Sequence, residues 1–557
     1  MAVVYPCLLI TLALLLGCSS ADEHTSESVP IEPARPNILL IVADDLGYTD
    51  ISPYGAEIST PNLQALADEG VVFSRFYASM TCAPTRAMLM TGMDNHLAGL
   101  GNMAETTADN QLGKAGYEGY LRPELPTVAE ILRSEGYHTY MAGKWHLGLQ
   151  REQSPFARGF ERSLASLYGA GSHFADRAGP DIYRDTLLYR RDGELLEQLP
   201  ENFYSTRAYT DRIIDNISSN HGDGRPFFAY LAYTAPHWPL HLPDDYIDRY
   251  RGSYAGGYEK VRTERLQRLQ QSGRLPTDFQ PGPFPPGVER WADLSPTRQA
   301  FLAQGMELYA GMVDYMDMSI GRLIDYLRSI GEYDNTVILF ISDNGAEPWG
   351  HDNVPPIIRK TAESFDNSAQ NRGRSGSFSF HGREWAAVGS GPLRHYKGSA
   401  AEGGIRVPAI MAGSVVAQRG QWVNEIASVV DFLPTVLELA GSDYEATSFS
   451  GRSLLPLVSA DQPDDEWRRT LGVELWGHSA LLQADWKILR MEPPLGSGVW
   501  ELYRLGTDIG EQTNLANVHP SRMQSMLEEW QRYKEENNVI LSRGPLQFRE
   551  PGPPPQH

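Results

Sequence analysis

Short apolar runs that end in polar residues recur along the chain. They are NILLIVADD at 37–45, YHTYMAGKWH at 137–146, FFAYLAYTAPH at 227–237 and TVILFISDN at 336–344. Continuous apolar runs of this length are typical of strands buried on both faces of a parallel sheet. We therefore predict four such strands, each followed by polar side chains at its carboxyl end.

Helical patterns lie between the predicted strands. In TPNLQALADEG at 60–70, Thr60 occupies the capping position, Pro61 the first turn and Gly70 the end. The segment LPTVAEILRSEG and the apolar stripe over 295–331 predict further helices. The alternation predicts an α/β fold with a doubly wound mixed sheet flanked by helices. In such sheets, ligands bind beyond the carboxyl ends of the strands.

The pattern changes in the middle and at the end of the chain. Residues 251–297 are rich in Gly, Pro, Arg and Gln, which predicts a long excursion rather than core. The segments WKILRM and WELYRL predict short strands, and SRMQSMLEEWQRYKEENN predicts a closing helix. We expect a large domain over 36–440, a smaller α+β subdomain on a short antiparallel sheet over 441–545, and a disordered tail over 546–557.

The amino-terminal residues have the pattern of an exported protein. The apolar run CLLITLALLL at 7–16 is too short to cross a bilayer as a helix and predicts a signal peptide over 1–17, although no Lys or Arg precedes it. The sequence LLGC at 15–18 resembles the bacterial lipobox, which implies a lipid on Cys18. The polar residues 18–35 then form a tether. We expect a lipoprotein in the periplasm or outer membrane of a bacterium.

Composition and charge exclude several functions. The chain has 557 residues, of which 41% are hydrophobic, enough for a large core. Acidic residues outnumber basic ones by 70 to 48, and the net charge is −22. This charge argues against nucleic acid or an anionic membrane surface as the main partner. A binding site for an anion would therefore need a local cluster of positive side chains.

Of the three cysteines, one is expected to remain as a thiol in the mature chain. Cys7 lies in the predicted signal peptide and Cys18 is the predicted lipid anchor, so Cys82 is the remaining thiol of the three and cannot form a disulfide within the mature chain. A lone cysteine in an exported protein is either a small buried hydrophobic residue or a reactive group. Without its neighbours, the first interpretation is the more common one.

Two pairs of oxygen-bearing residues follow two of the predicted strands. Asp44 and Asp45 are adjacent, and Asp343 and Asn344 end another apolar run. Neighbouring carboxylates repel each other unless a cation lies between them. Oxygen ligands favour Ca²⁺ or Mg²⁺ over zinc. One pair alone would be an ordinary surface feature, but the two together predict a metal site with room for an anion.

Cys82 and Arg86 are four residues apart in CAPTRAMLMTG. If this segment becomes helical at Pro84, both side chains share one face, and the first amide groups of the helix face a bound anion. CAPTR fits the motif CxPxR of the sulfatases, and AMLMTG fits the AxLxTG that continues it. The segments DDLGY, GKWHLG, TAPHWPLH, SDNG and YKGSAAEGGIRVP occur in the order of that family.

The chain thus resembles the formylglycine-dependent type I sulfatases, and bacterial arylsulfatases in particular, from PNILLIVADDLGY at 36 to ELYRLGTDIGEQTNLA at 501. The resemblance implies an alkaline-phosphatase-like fold and a maturation enzyme that converts Cys82 to formylglycine. It implies one Ca²⁺ per chain, with the ligands Asp44, Asp45, Cys82, Asp343 and Asn344. It also implies sulfate-binding and proton-transfer roles for Lys144, His146, His237 and Lys397.

The implied chemistry is hydrolysis of a sulfate ester through a covalent sulfo-enzyme intermediate. One hydroxyl of the formylglycine hydrate, which Arg86 orients, attacks sulfur. His237 with Lys397 would protonate the leaving oxygen, and His146 would take the proton of the second hydroxyl so that sulfate is expelled. The positive side chains would stabilise the transition state.

The residues leave the substrate and two alternative functions open. The substrate is a small-molecule or oligosaccharide sulfate ester, either an aryl sulfate or a sulfated carbohydrate. One alternative is an enzyme of the same superfamily that cleaves phosphate or phosphonate esters, because a site for one tetrahedral anion accepts another. The second alternative is an inactive surface lipoprotein that binds sulfated glycans.

Overall fold

The structure, a computed structural model, describes residues 1–3, 35–183, 186–444, 448–459, 467, 469–544 and 546–552. The predicted signal peptide, the lipid anchor at Cys18 and nearly all of the tether therefore lie outside the described residues. Within the described part, no helix is both long enough and apolar enough to cross a bilayer.

A mixed sheet forms the centre of the fold. Its strands are β1 (Asn37–Ala43), β2 (Val71–Tyr77), β3 (His138–Lys144), β4 (Arg162–Ser166), β5 (Tyr189–Arg191), β6 (Glu194–Leu195), β7 (Phe227–Ala232), β8 (Thr336–Ser342), β9 (Arg406–Ala412), β10 (Gln421–Val423) and β11 (Ala427–Ser428). Their order is β10-β2-β9-β8-β1-β7-β3-β4-β5-β6, with β11 also paired to β2. The four strands predicted from apolar runs are the parallel neighbours β8, β1, β7 and β3.

The described residues also form helices, several of which cover this sheet. They are α1 (Pro61–Glu69), α2 (Cys82–Thr91), α3 (Asn95–Ala98), α4 (Val128–Ser134), α5 (Ser205–Asn220), α6 (Tyr258–Gln271), α7 (Pro296–Ser329), α8 (Pro356–Glu363), α9 (Arg383–Gly389), α10 (Glu402–Ile405), α11 (Phe432–Ala440), α12 (Leu455–Val458) and α13 (Pro520–Glu536). Helices α1, α5 and α7 pack together on the sheet, and α2, α4 and α11 form a second group. The predicted α/β fold, a mixed sheet flanked by helices, is confirmed.

The amino terminus of α1 is capped by a residue from another helix. Thr60 precedes α1, but its hydroxyl donates to Ser52 Oγ at 2.9 Å and accepts the N–H of Ser52 at 2.8 Å, and it caps no N–H of α1. Asp317 of α7 instead accepts the N–H groups of Asn62 at 3.1 Å and Leu63 at 2.8 Å. A carboxylate satisfies unpaired donors and also interacts favourably with the helix dipole. The prediction that Thr60 caps this helix was therefore wrong.

Residues 251–297 include a helix with buried side chains, which a surface excursion would not contain. They contain α6, whose Tyr258, Val261, Leu266 and Leu269 are buried at helical spacing. Buried Arg265 of the same helix forms ion pairs with Asp50 and Glu57. The Gly and Pro content obscured this amphipathic helix, and the expectation that the segment lies outside the core was wrong for α6.

A separate antiparallel sheet follows, as expected for the smaller subdomain. Its strands are β12 (Thr470–Leu475), β13 (His478–Gln483), β14 (Trp486–Arg490) and β15 (Glu501–Arg504). On one face, Leu481 and Ile488 pack against Trp530 of α13. On the other face, Leu482 lies in one cluster with Met80 and Ala400. The small sheet therefore supports segments of the large domain, and the described residues from 36 onward form one unit.

The end of the described chain also differs from expectation. We expected a disordered tail over 546–557, but residues 546–552 lie against the large domain. The N–H of Arg549 donates to the carbonyl oxygen of Glu105 at 2.8 Å, and its guanidinium pairs with Asp109 at 3.0 Å. Residues 553–557 lie outside the described part of the chain.

A buried histidine connects α3 to the small sheet. His96 Nδ1 lies 2.7 Å from Asp94 Oδ1, and Nε2 lies 3.1 Å from Glu474 Oε2. Tyr533 of α13 donates to the other oxygen of Asp94 at 2.8 Å. Burial disfavours the imidazolium, but Asp94 and Glu474 outweigh it and raise the pKa of His96 from 6.5 to about 9.

This histidine makes stability depend on pH. Because the pKa is higher in the folded state, the contribution of His96 is fully present below pH 6.5 and is lost as pH rises through about 9. We expect the free energy of unfolding of the wild type to fall over this range by up to about 3 kcal/mol. Urea denaturation at pH 6.5 and 9.5 measures it. At pH 6.5, His96→Gln should have a lower free energy of unfolding than the wild type. Between pH 6.5 and 9.5, the free energy of unfolding of this variant should fall much less than that of the wild type. An equal fall in both proteins would contradict the assignment.

Candidate active site

Four oxygen-bearing side chains meet where β1 and β8 end. Asp44 and Asp45 follow β1, Asp343 and Asn344 follow β8, and all four are fully buried. Asn344 Nδ2 donates to Asp45 Oδ1 at 2.7 Å, and the N–H of Asp45 donates to Asp343 Oδ1 at 3.3 Å. The adjacency of two parallel strands thus brings together the two pairs that the sequence places 298 residues apart.

Three cationic side chains face these carboxylates, of which Arg86 and Lys144 are buried and Lys397 is 10% exposed. Arg86 of α2 donates twice to Asp343 Oδ2, at 2.7 and 3.0 Å. Lys144, the last residue of β3, donates to Asp44 Oδ2 at 2.6 Å. Lys397, from the loop between α9 and α10, lies 2.7 Å from Asp45. The structure therefore contains the local positive cluster that an anion site needs in so acidic a protein.

Cys82 is the first residue of α2, two positions before the predicted helix start at Pro84. Its side chain is nearly buried, with 3% exposed. Burial opposes ionisation of the thiol, but Lys144 and Lys397 outweigh it and lower the pKa of Cys82 to about 6. This cysteine lies in a positive environment rather than in plain hydrophobic core, which favours the interpretation as a reactive group.

Two histidines lie at this site in different electrostatic states. His146 Nε2 lies 3.0 Å from Glu105 Oε1, and His146 and Cys82 line the same pocket. Burial disfavours its protonation, but Glu105 outweighs this and raises the pKa of His146. His237 Nδ1 lies 2.6 Å from the carbonyl of Trp238. Burial lowers the pKa of His237 well below its ordinary value, against the opposing effect of Asp45.

Several oxygen atoms at the end of the sheet accept no hydrogen bond from the described residues. They are the buried atoms Asp44 Oδ1, Asp45 Oδ2 and Asn344 Oδ1, and of these Asp45 Oδ2 lies 3.2 Å from His237 Nε2. Burial, with Asp343 and Asp45 nearby, raises the pKa of Asp44 well above its ordinary value despite Lys144. Ligand atoms of Asp44, Cys82 and Asp343 lie within 4.8 Å of one another. This group of acidic residues could hold a metal ion.

A pocket of about 80 Å³ opens above Cys82. Ionisable side chains that line it include Glu105, His146, Glu347 and Lys397. The apolar and aromatic part of its lining includes Met103, Tyr183, Trp238, Trp349, Trp476 and Phe548. The pocket therefore has ionisable side chains around Cys82 and mostly apolar and aromatic side chains in the rest of its wall.

Two carboxylates of this site were not predicted from the sequence. Glu347 lies 2.9 Å from Lys397, and burial raises the pKa of Glu347 to about 7 despite that lysine. It follows Asn344 by three residues, so its place after a strand end was an available signal. Glu105 lies in a short 3-10 helix, Ala104–Thr106, that has no recognisable motif, and nothing in the sequence pointed to its contact with His146.

Strained backbone occurs at two of these strand ends. Asp45 has φ of 68° and His146 has φ of 56°, in the left-handed region that ordinary residues avoid. Such residues cost on the order of 1–3 kcal/mol each and cluster at functional sites. The surrounding hydrogen bonds hold both residues in these conformations.

Comparisons with known proteins agree with this geometry. A profile of the family described as "Sulfatase" matches residues 36–442. The chain is 41% identical over 529 residues to an uncharacterised sulfatase of Schizosaccharomyces pombe, covering 92% of this chain and 95% of the relative. This chain belongs to the sulfatase family. It is also 40% identical over 430 residues to an arylsulfatase of Klebsiella aerogenes, covering 76% of this chain and 90% of that protein.

Solved structures show the same fold at lower identity. A crystal structure of Ps i-CgsB in complex with k-i-k-neocarrahexaose superimposes with a TM-score of 0.66 at 24% identity, covering 92% of this sulfatase and 95% of that chain. A structure solved with its substrate D-glucosamine-2-N,6-O-disulfate gives a TM-score of 0.60 at 20% identity, covering 90% and 98%. At these identities the comparison establishes the fold, which is alkaline-phosphatase-like. The family establishes that the sulfatase is a sulfuric ester hydrolase.

Close packing of Gly169 under His146 gives a test of the site. A Cβ at Gly169 would lie 2.5 Å from Cε1 of the His146 ring, so Gly169→Ala must displace that ring. We expect kcat for an aryl sulfate to fall by at least about tenfold, because small misplacements of reacting groups are costly. Steady-state kinetics measures the loss.

Gly179→Ala is the matched control, because its Cβ would make only ordinary contact, at 3.4 Å from Leu187. Both variants should unfold at nearly the wild-type temperature. Unchanged kcat in Gly169→Ala would show that the position of His146 does not matter for turnover.

Proposed function

We propose that the sulfatase hydrolyses sulfate monoesters through a formylglycine residue formed from Cys82, with Ca²⁺ bound beside it. The observation that carries the proposal is the position of Cys82 at the base of the pocket, among the cations Arg86, Lys144 and Lys397. A lone thiol in a cation-rich pocket is suited to a tetrahedral anion. It also fits the CxPxR motif, on which a formylglycine-generating maturation enzyme would act.

The side chains at the end of the sheet fit a hard metal ion. Asp44, Asp45, Asp343 and Asn344 offer oxygen atoms, the kind of ligand that Ca²⁺ prefers. Buried atoms of three of them accept no hydrogen bond from the described residues, which a cation would remedy. The modified residue 82 would complete this set of ligands. When bound, Ca²⁺ would supply positive charge that lowers the pKa of a hydroxyl and stabilises the sulfate group.

The formylglycine hydrate would supply a nucleophilic hydroxyl and a second hydroxyl whose ionisation permits release of sulfate. The histidine beside it is His146. Its contact with Glu105 stabilises the imidazolium, so the ring is a stronger base than an isolated histidine. We propose that His146 takes the proton of the second hydroxyl and that Glu105 holds the ring in place.

The leaving oxygen needs a proton from the other side of the pocket. Burial opposes protonation of Lys397, but Asp45 and Glu347 outweigh it and raise the pKa of Lys397 well above its ordinary value. His237 is neutral, because burial lowers its pKa. We propose Lys397 as the charged donor at the leaving oxygen, with His237 beside it. Lys144 and Arg86 hold the carboxylates and add positive charge near the sulfate.

We propose the cell location from the sequence alone. The signal-peptide pattern, the lipobox-like LLGC and the polar tether support an exported lipoprotein anchored through Cys18. The membrane is then a partner through this lipid alone. The substrates proposed are small-molecule or oligosaccharide sulfate esters, since relatives include an arylsulfatase and structural neighbours were solved with sugar ligands.

Two measurements test the proposed reaction: the turnover of an aryl sulfate and the mass of the peptide that contains residue 82. We expect the purified wild type to hydrolyse an aryl sulfate with a higher kcat/KM than the matching aryl phosphate. Mass spectrometry of the peptide containing residue 82 should show a mass about 18 below that of the cysteine form.

Cys82→Ala should lose turnover and keep the wild-type unfolding temperature. A clear preference for aryl phosphate would instead make the chain a phosphate or phosphonate ester hydrolase. An unmodified thiol and no turnover after expression with the maturation enzyme would favour a glycan-binding protein.

Calcium should stabilise the fold. At a Ca²⁺ concentration of about a hundred times Kd, binding to the native state adds about 2.7 kcal/mol to the free energy of unfolding. Thermal unfolding with Ca²⁺ and with EDTA measures this shift. Asp44→Asn should lose most of it, whereas Asp317→Asn, the same change at a buried position outside the site, should keep it. Equal shifts in both variants would refute the proposed ligand.

A further inference from the structure

A short segment near the end of the chain crosses the catalytic pocket. We call residues 546–552 the strap. Arg549 at its centre bonds the carbonyl of Glu105 through its N–H and pairs with Asp109 through its guanidinium. Arg543, just before the strap, donates its N–H to Asn110 Oδ1 at 3.0 Å. The strap is therefore attached to the same loop that carries Glu105, the partner of His146.

The strap faces two cavities on either side of this loop. Phe548 lines the pocket above Cys82. Pro551 and Gly552 line a neighbouring cavity of about 200 Å³, which also contacts Glu105 and His146. The strap thus forms part of the wall of the substrate pocket.

Phe548 extends a row of aromatic rings that begins at the proposed proton donors. The centroids of His237 and Trp238 lie 4.7 Å apart, those of Trp238 and Trp349 lie 5.7 Å apart, and those of Trp349 and Phe548 lie 5.8 Å apart. Offset and edge-on ring contacts at these distances are favourable. The row begins at His237, beside which the ester oxygen would be released. It ends at Phe548 of the strap.

The chemistry of this row suits an apolar leaving group. Ile358 and Met103 also line the pocket. The ionisable groups around Cys82 pair with one another instead, Lys397 with Glu347 and His146 with Glu105. An aromatic ring could stack along the row, but sugar hydroxyls would find few hydrogen-bonding partners there. Burying such hydroxyls without partners would weaken binding.

We propose that Phe548 is a specificity-determining residue that forms the outer wall of the leaving-group site and favours sulfate esters of aromatic or other apolar alcohols. This inference rests on the proposed function of the same pocket. Phe548 contacts the body of the leaving group and takes no part in proton transfer. It therefore acts on the binding of the ester and not on that of free sulfate.

The test compares two ligands in the full-length, matured enzyme. For Phe548→Ala we expect KM for 4-nitrophenyl sulfate to rise about five- to tenfold, because a ring contact with the leaving group is lost. The inhibition constant of inorganic sulfate should change by less than about twofold, since sulfate has no leaving group to contact Phe548. kcat should change less than KM.

Leu546→Ala is the matched control, because Leu546 lies on the same strap but is 45% exposed. Phe548→Leu, which keeps an apolar side chain, should show a smaller rise in KM and guards against misfolding of the alanine variant. An unchanged KM in both Phe548 variants would overturn the inference. So would an equal rise in KM and in the sulfate inhibition constant. Failure of the proposed function is distinct, because the wild type itself would then not hydrolyse the ester.

Discussion

The burial of like charges at one edge of the large sheet is the constraint around which this sulfatase is built. Asp44, Asp45 and Asp343 lie together with no exposed surface, and like charges at that spacing repel strongly in a medium of low dielectric constant. Arg86, Lys144 and Lys397 balance part of this charge. Asp44 Oδ1 and Asn344 Oδ1 accept no hydrogen bond from the described residues, so this acidic cluster could hold a metal ion that balances the remaining charge.

The smaller subdomain contributes to this arrangement although it holds none of the charged groups. One face of its sheet packs against Met80, two residues before Cys82, and against Ala400, three residues after Lys397. The turn between β12 and β13 places Trp476 in the wall of the pocket. Nearby, Lys487 of β14 binds Glu402 and Glu511 with all three side chains buried. The second sheet thus holds the segments that carry Cys82 and Lys397.

The parts of the site that were predictable follow from the regularity of parallel sheets. Asp44, Asp343, Lys144 and His237 follow apolar strands, and the carboxyl ends of parallel neighbours meet at one edge. Asp317 is different, because it caps α1 from a helix more than 250 residues away in the chain. The helix α6 was missed because glycines and prolines surround it. The cap of α1 was thus set by a contact between distant segments, whereas α6 was obscured by the local composition around it.

Apolar runs and motifs of a few residues were enough to predict the class of fold, the four buried strands, the place of Cys82 and the residues that could bind a metal. These features are local along the chain. The contacts of Glu105 with His146 and of Glu347 with Lys397, and the position of Phe548 in the wall of the pocket, are visible only in the folded chain. Each of these depends on which surfaces pack together, and packing pairs residues whose separation along the chain carries no signal.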